Sequence, residues 1–500
     1  MHPRNPYRAP PDFDSLAQSY PELKRCLVIS TKNAGGQFVT INFRDEVALR
    51  KLTEAIMFRD FGVKLKIPDD RLCPPIPNRM NYVLWIQDVV QHTLGINAQK
   101  QGEIIRGVDI GTGATAIYPV LLSSLEKTWE MVGTEIDDAS YLCASSNIET
   151  NHLQSRIKIV KAEKLNPILQ PLNGVIEDSM YHFTMCNPPF YSSSKEIESL
   201  AKGKHLPPNA VCTGSTTEMI YPGGEVAFVG KMVDESTTYR RQCRWYTSML
   251  GKLSSVEKIV QRLRSHNIAN YAITEFIQGR TRRWAVAWSF FEDRLPDSIS
   301  RMNVSSSHPL STYMPPRNTL SQPLQSSTAV DLRNIETALE NALKLVQRIT
   351  LTVTSDDQPP NAQVYILEAA QNTWSRSARR QQRHGGSLDF SNPPSSAITM
   401  VCSVKVSQGS PISEVPLQNK SYQADEWSEV LDGLDEDDDM DIDDSSTVEE
   451  KKRPDTQHTQ KPLSLVFQWL SGEDRAMFES FASHVGRKVG VVVSSTNSSN

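Results

Sequence analysis

The chain has 500 residues, 38% hydrophobic and 22% charged, enough for roughly two to four globular domains. No stretch approaches the ~18 apolar residues of a membrane helix, and the start, MHPRNPYRAPPDFDSL, lacks the apolar centre of a secretory signal. Seven cysteines (26, 73, 143, 186, 212, 243, 402) form no CxxC pair, which reads as reduced thiols in a nuclear or cytoplasmic protein and offers no metal site; the formal charge of −5, taken as an average, argues against nucleic acid.

In chain order, a Pro-rich arm comes first, with Arg4 and Arg8 among Pro3, Pro6, Pro10 and Pro11, and is expected to be flexible. A strand-like run, Gln37–Phe43, is followed by Arg44 and by a segment from Glu46 to Phe58. There Val47, Leu49, Leu52, Ile56 and Met57 recur at helical spacing. A second helix is predicted over Met80–His92. From Glu103 strands alternate with helices, which predicts an α/β, Rossmann-like doubly wound sheet over 99–295 behind an auxiliary region at 1–98. Strands fall at Glu103–Asp109, Met131–Glu135, Ile157–Lys161 and His182–Cys186, with helices at Ala114–Leu125 and Ala139–Asn151. After a polar loop (192–222) come a helix near Gly224–Glu235, a strand at Trp245–Leu250 and a helix at Ser255–Ser265. Two β-rich runs, Ala272–Gln278 and Trp284–Phe291, then flank the basic turn Gly279-Arg280-Thr281-Arg282-Arg283.

Residues 296–328 are rich in Ser, Pro, Asn and Gln and read as a disordered linker. A small α+β domain is predicted from 329–406 plus 462–490, interrupted by a disordered insertion at 407–461. Within it, residues 425–450 carry 14 acidic residues and no basic one, so leaving them out moves the balance of the chain from −5 to +9. The charge of the body is therefore mildly basic, and nucleic acid returns as a candidate partner.

Two short motifs carry chemistry. In Val108-Asp109-Ile110-Gly111-Thr112-Gly113 an apolar strand runs into a glycine turn whose backbone can approach a ligand, with a helix N-terminus beyond it. Glu135, 22 residues past Gly113, ends the next strand, where a carboxylate can accept ribose hydroxyl protons. This fragment fits nicotinamide dinucleotides as well as S-adenosylmethionine. In Cys186-Asn187-Pro188-Pro189-Phe190-Tyr191, two prolines stiffen a turn at a strand end. The Asn187 side-chain oxygen and the Pro188 carbonyl can then accept two hydrogen bonds from a planar amine, and Phe190 can stack on a flat base. No strong base is needed, because the amine proton becomes acidic only after nitrogen has gained a methyl group, so catalysis is positioning and electrostatics.

Together DxGxG and NPPF resemble the class I, S-adenosylmethionine-dependent amino-methyltransferases. With PPDFDSLAQSYPELK, the DFG at 60–62, IPNRMNYVLWIQD, RWYTSMLGK and TEFIQGRTRRWAVAWSF, residues 1–292 are similar to the methyltransferase-like-sixteen family, which methylates adenosine N6 in structured RNA, notably U6 spliceosomal small nuclear RNA. The resemblance implies a cofactor site of Arg79, Asp109, Gly111, Thr112, Gly113 and Glu135, with Lys164 on a loop that can obstruct it. It implies a catalytic loop of Asn187, Pro188, Pro189 and Phe190. It places Arg4, Arg8, Arg44, Tyr191, Arg280, Arg282 and Arg283 at the RNA, where arginines neutralise phosphates while RNA shape and a flipped adenosine give selectivity. A bacterial branch with similar motifs acts on adenine in ribosomal RNA. NPPF alone also fits glutamine or DNA adenine, and a slow RNA-binding regulator is a further alternative. In the C-terminal half, Trp374 with Arg376, Arg379, Arg380 and Arg383 reads as a basic helix that resembles part of the family's second RNA-binding region.

Overall fold

The computed structural model describes residues 1–31, 36–96, 104–172, 180–196, 216–278, 281–324, 332–356, 362–376, 378, 380, 398–408 and 463–496. They form two compact units. One comprises 1–291 with 299–315, and the other comprises 292–298 with the described residues from 316 onward.

In the first unit, helix α1 (Phe13–Ser19) is capped by Asp12, whose carboxylate accepts the N–H groups of Asp14 and Ser15. Strands β1 (Leu27–Thr31) and β2 (Gln37–Ile41) form an antiparallel pair. Helix α2 (Glu46–Phe61) starts at an Asp45 cap and stops at Gly62 in the left-handed conformation. Helix α3 (Ile76–Ile96) begins at the proline cluster and runs longer than its periodicity predicted. The alternating region then gives β3 (Arg106–Ile110), α4 (Ile117–Leu125), β4 (Glu130–Glu135), α5 (Asp138–Thr150), β5 (Ile157–Lys161) and β6 (Tyr181–Cys186). It continues through α6 (Gly224–Tyr239), β7 (Cys243–Leu250), α7 (Leu253–Ser265), β8 (Tyr271–Gln278) and β9 (Thr281–Trp288).

The seven strands line up as β5-β4-β3-β6-β7-β9-β8. Strands β3 to β7 pair in parallel, and β9 runs antiparallel between β7 and β8. The strand order reverses between β3 and β6, where Asp109 pairs with Met185 and Ile110 with Cys186. Two loops therefore leave the sheet side by side at the place where open α/β sheets hold ligands. This is the Rossmann-like arrangement that the alternation implied.

Two expectations need correction. The N-terminal arm is docked, not flexible. Its terminal amine donates to the Ile277 carbonyl at 2.7 Å, Asn5 Nδ2 donates to the Pro77 carbonyl and Asn81 Oδ1, and the buried Tyr7 hydroxyl donates to Asp60 at 2.8 Å. Proline fixes φ and so lowers the entropy lost on docking, which composition alone mistook for disorder. Within the expected linker 296–328, the described residues 296–324 are likewise not a bare linker. Leu310 and Met314 lie in the first unit's core, and β10 (Thr319–Pro323) pairs with a strand over 140 residues later. That pairing places a proline at the end of an edge strand, where it is tolerated.

The second unit is a five-stranded antiparallel sheet. After α8 (Leu332–Lys344) come β11 (Ile349–Asp356), β12 (Ala362–Ala369), β13 (Met400–Gln408), β14 (Leu463–Gly472) and α9 (Arg475–Thr496). The sheet order is β10-β14-β13-β12-β11. Ile335, Leu339, Leu343 and Val346 are buried at the spacing read from the sequence. Trp374 is 2% exposed and meets Phe481 edge-on at 5.1 Å, so it is a core residue and not part of a surface-helix face; Arg379, Arg383 and the acidic tract at 425–450 lie outside the described residues.

Candidate active site

The glycine loop leaves β3 with Gly111 at φ 70° and Gly113 at φ 66°, conformations that side chains disfavour. A Cβ on Gly111 would meet nothing within 4 Å, so the backbone there borders open space. Thr112 turns back, its hydroxyl donating to Asp109 Oδ2 at 2.7 Å and its N–H to the Thr134 carbonyl at 2.8 Å. Asp109 is fully buried, and its other oxygen has no hydrogen-bond partner among the described residues. Burial pushes its carboxyl up to about 7; the Thr112 bond and Arg79 oppose this, and the Glu135 charge adds to it.

Glu135, at the end of β4, accepts from the Gly113 N–H at 2.9 Å through one oxygen. Its other oxygen accepts from the Ile136 and Asp137 N–H groups at 2.8 and 2.9 Å. Burial raises its carboxyl above the ordinary value against those three donors, and the Glu218 carboxylate adds to the rise. Arg71 secures the next turn, reaching Asp137 Oδ1 at 2.9 Å and Ser140 Oγ at 2.9 Å. Arg79 is 5% exposed in the first turn of α3, its guanidinium 6.0 Å from the Tyr118 ring. Lys164 is exposed beyond β5.

Beside this loop, β6 ends in the NPPF turn. Asn187 is half-buried, and its Oδ1 is enclosed with no hydrogen-bond partner among the described residues. An acceptor left unsatisfied costs about 1–3 kcal/mol, recoverable when a donor arrives. Pro188 is buried and Phe190 half-buried. Tyr82 lies beneath, fully buried; its hydroxyl pairs with Thr247 Oγ1 at 2.5 Å and accepts the Cys186 N–H at 3.4 Å. Neither Tyr82 nor Arg71 was singled out from sequence. The IPNRMNY segment that holds Arg79 was the available signal for Tyr82, and only the folded contact reveals Arg71.

The arginines separate into two groups. Arg8, Arg44 and Arg282 are exposed. Arg282 faces Glu275 at 3.4 Å, while Arg4 is engaged with Asp88, Gln87 and the Leu84 carbonyl on α3. Arg283 is 8% exposed, and its guanidinium lies 5.6 Å from the Phe190 ring centroid, which places it at the catalytic loop. Tyr191 is buried at 7%, bridging Ile220 through its backbone, and so offers little face to a base. Arg280 lies outside the described residues.

Residues 1–292 match the model of a family described as RNA methyltransferase. The chain belongs to this family. The RNA N(6)-adenosine-methyltransferase mettl16 of Danio rerio is 37% identical over 415 residues, covering 80% of this chain and 83% of that relative. The U6 small nuclear RNA (adenine-(43)-N(6))-methyltransferase of Schizosaccharomyces pombe is 42% identical over 275 residues, covering 55% and 68%. The chain spans a smaller share of other vertebrate members, 52% of that from Xenopus laevis and 61% of the human one. Among solved structures, the human Mettl16 catalytic domain in complex with MAT2A 3'UTR hairpin 6 superposes with a TM-score of 0.52 at 38% identity, over 59% of this chain and 99% of that one.

Proposed function

We propose that the chain transfers a methyl group from S-adenosylmethionine to N6 of an unpaired adenosine in a structured RNA, with U6 small nuclear RNA as the first candidate and the nucleus as its place of work. The observation that carries this reading is the pairing of β3 with β6, which sets Gly111 and Asn187 at neighbouring strand ends. The relatives' names narrow the amine to adenosine N6 in RNA over glutamine or DNA.

The residues fit the cofactor. Gly111 borders open space, the buried Asp109 keeps one oxygen without a partner, and Glu135 ends the neighbouring strand as a ribose acceptor would. When bound, S-adenosylmethionine supplies a methyl group made electrophilic by the attached sulfonium. Arg79 would hold its carboxylate end, and the exposed Lys164 would gate the entrance. Asn187 Oδ1 and the Pro188 carbonyl accept the two amine hydrogens, which holds the nitrogen lone pair toward the methyl group. Phe190 stacks on the base and excludes water from one side of it. The proton leaves only once nitrogen has become cationic, so no residue need act as a strong base.

Arg8, Arg44 and Arg282 would neutralise phosphates without reading sequence. Selectivity would come from RNA shape and from flipping the adenosine into the NPPF pocket. Single-turnover assays on U6 RNA, a ribosomal RNA fragment and duplex DNA test the proposal. N6-methyladenosine should form fastest in U6 RNA; a preference for the ribosomal fragment would change the substrate, and methylation of DNA alone would overturn the reading.

A further inference from the structure

Glu225 is buried at 2% in the first turn of α6, and nothing in the proposed chemistry uses it. Its two oxygens accept the backbone N–H groups of Gly251 at 2.6 Å and Lys252 at 3.0 Å, and it also hydrogen-bonds the Ser255 side chain. Burial raises its carboxyl above the ordinary value. Lys252 is the N-cap of α7, so this carboxylate, reaching across from another helix, accepts the N–H of the cap residue and of the residue before it and ties down the turn that enters the helix.

The turn it grips touches the catalytic loop. A Cβ on Gly251 would stand 2.8 Å from Phe190 Cδ1 and 3.1 Å from Cε1, so the ring edge rests on bare backbone there. The segment carrying Glu225 touches the same loop from another side: a Cβ on Gly224 would lie 3.2 Å from the Phe190 carbonyl oxygen. Arg283 approaches the same ring at 5.6 Å.

We infer that Glu225 is a positioning residue for Phe190, fixing through the Gly251–Lys252 turn the plane on which the substrate base stacks. The inference rests on Phe190 being that platform. A serine or aspartate at the cap position would accept N–H groups further into the helix, and so could not replace this buried carboxylate at Gly251 and Lys252. A carboxylate is suited to holding two successive N–H groups at once, and so to holding the turn itself.

The test is a double-mutant cycle in the full chain, reading single-turnover methyl transfer for the parent, Glu225→Gln, Phe190→Leu and the pair. Glu225→Gln should slow transfer about tenfold, while affinities for S-adenosylhomocysteine and RNA stay within about twofold. In the Phe190→Leu background the same change should have almost no further effect, because both act on one surface. An RNA with 2-aminopurine at the target position should lose stacking-dependent quenching in Glu225→Gln. Full multiplication of the two effects, or a parental rate for Glu225→Gln, would overturn the inference and leave Glu225 a helix cap. A parental rate for Phe190→Leu would overturn the platform reading itself, a distinct signature. Should Glu225→Gln fail to fold, Gly251→Ala presses a methyl group on both the ring edge and Glu225 Oε2, which would lie 3.3 Å away; it should show the same non-additivity with Phe190→Leu, and a parental rate would overturn the inference.

Discussion

In the seven-stranded sheet, β6 is buried along its whole length and β3 along nearly all of it, and polar chemistry collects at and just past the carboxyl ends of β3, β4 and β6, at Asp109, Thr112, Glu135 and Asn187. In the five-stranded sheet, β13 alternates buried with half-exposed residues, and Met400, Cys402, Val404 and Val406 face a core shared with Phe467, Phe478 and Phe481. Beside α8 and α9 a groove of about 430 Å³ is lined by Arg376, Arg487 and Lys488 together with Ala338, Ala342 and Leu345. The contrast follows from strand pairing. Parallel strands covered on both faces can present side chains to a ligand only where their loops emerge, whereas an antiparallel sheet has a second face to use.

Four perturbations would break or sharpen that contrast. The largest concerns the strand-end chemistry: Asn187→Ala should slow methyl transfer on the order of 10²–10³-fold, the scale of removing one preorganised polar group, with RNA affinity nearly unchanged. A gel-shift titration beside single-turnover kinetics separates the two, and a rate near the parent's would remove Asn187 from the mechanism. Next, Phe481→Ala should destabilise the five-stranded unit by about 3–5 kcal/mol. Calorimetry should then show an earlier transition while S-adenosylhomocysteine still stabilises the later one; loss of ligand binding along with that transition would mean the two units do not unfold independently.

The third concerns Asp109, whose carboxyl is raised to about 7 from an ordinary value of 3.8. A carboxyl raised in the folded state favours folding at low pH, and that contribution is lost as pH climbs from its ordinary range through about 7. Asp109→Asn lacks this loss, so its stability relative to the parent should be higher at pH 8 than at pH 5 in the ligand-free protein. Thermal unfolding at both pH values checks the sign, and an unchanged difference would show that the Asp109 carboxyl is not raised in the fold and is already ionised at pH 5. Smallest is the surface term. Replacing Arg8, Arg44 and Arg282 with Gln should weaken RNA binding and lower the slope of affinity against salt by about 1 for each phosphate no longer neutralised. A slope equal to the parent's would move the RNA elsewhere.

Much of the first unit was legible because its signals are local. Glycines, consecutive prolines and apolar runs of strand length mark β3, β6 and their loops, and the strand at Ile157–Lys161 matches its sequence reading at both ends. Strands β1 and β12 were missed, since Leu27–Thr31 and Ala362–Ala369 are short β-prone runs that gain order from their partners. Arg283 was placed at the RNA together with Arg282, yet it is buried beside Phe190. Three basic residues in a turn look alike in sequence, but the alternation of β9 turns Arg282 outward and Arg283 inward.

The sequence by itself determined the chemistry of the two loops: where the backbone turns left-handed beside a ligand, and which amide and aromatic ring stand ready for an amine on a flat base. Only the tertiary structure decided that these loops are neighbours, that the Pro-rich arm is docked and that Thr319–Pro323 is an edge strand. It also showed that a buried glutamate grips the turn under Phe190. The reason is range. Turn conformation and side-chain chemistry are set within a few residues, whereas strand order, docking and second supports arise from contacts between distant segments that no local pattern records.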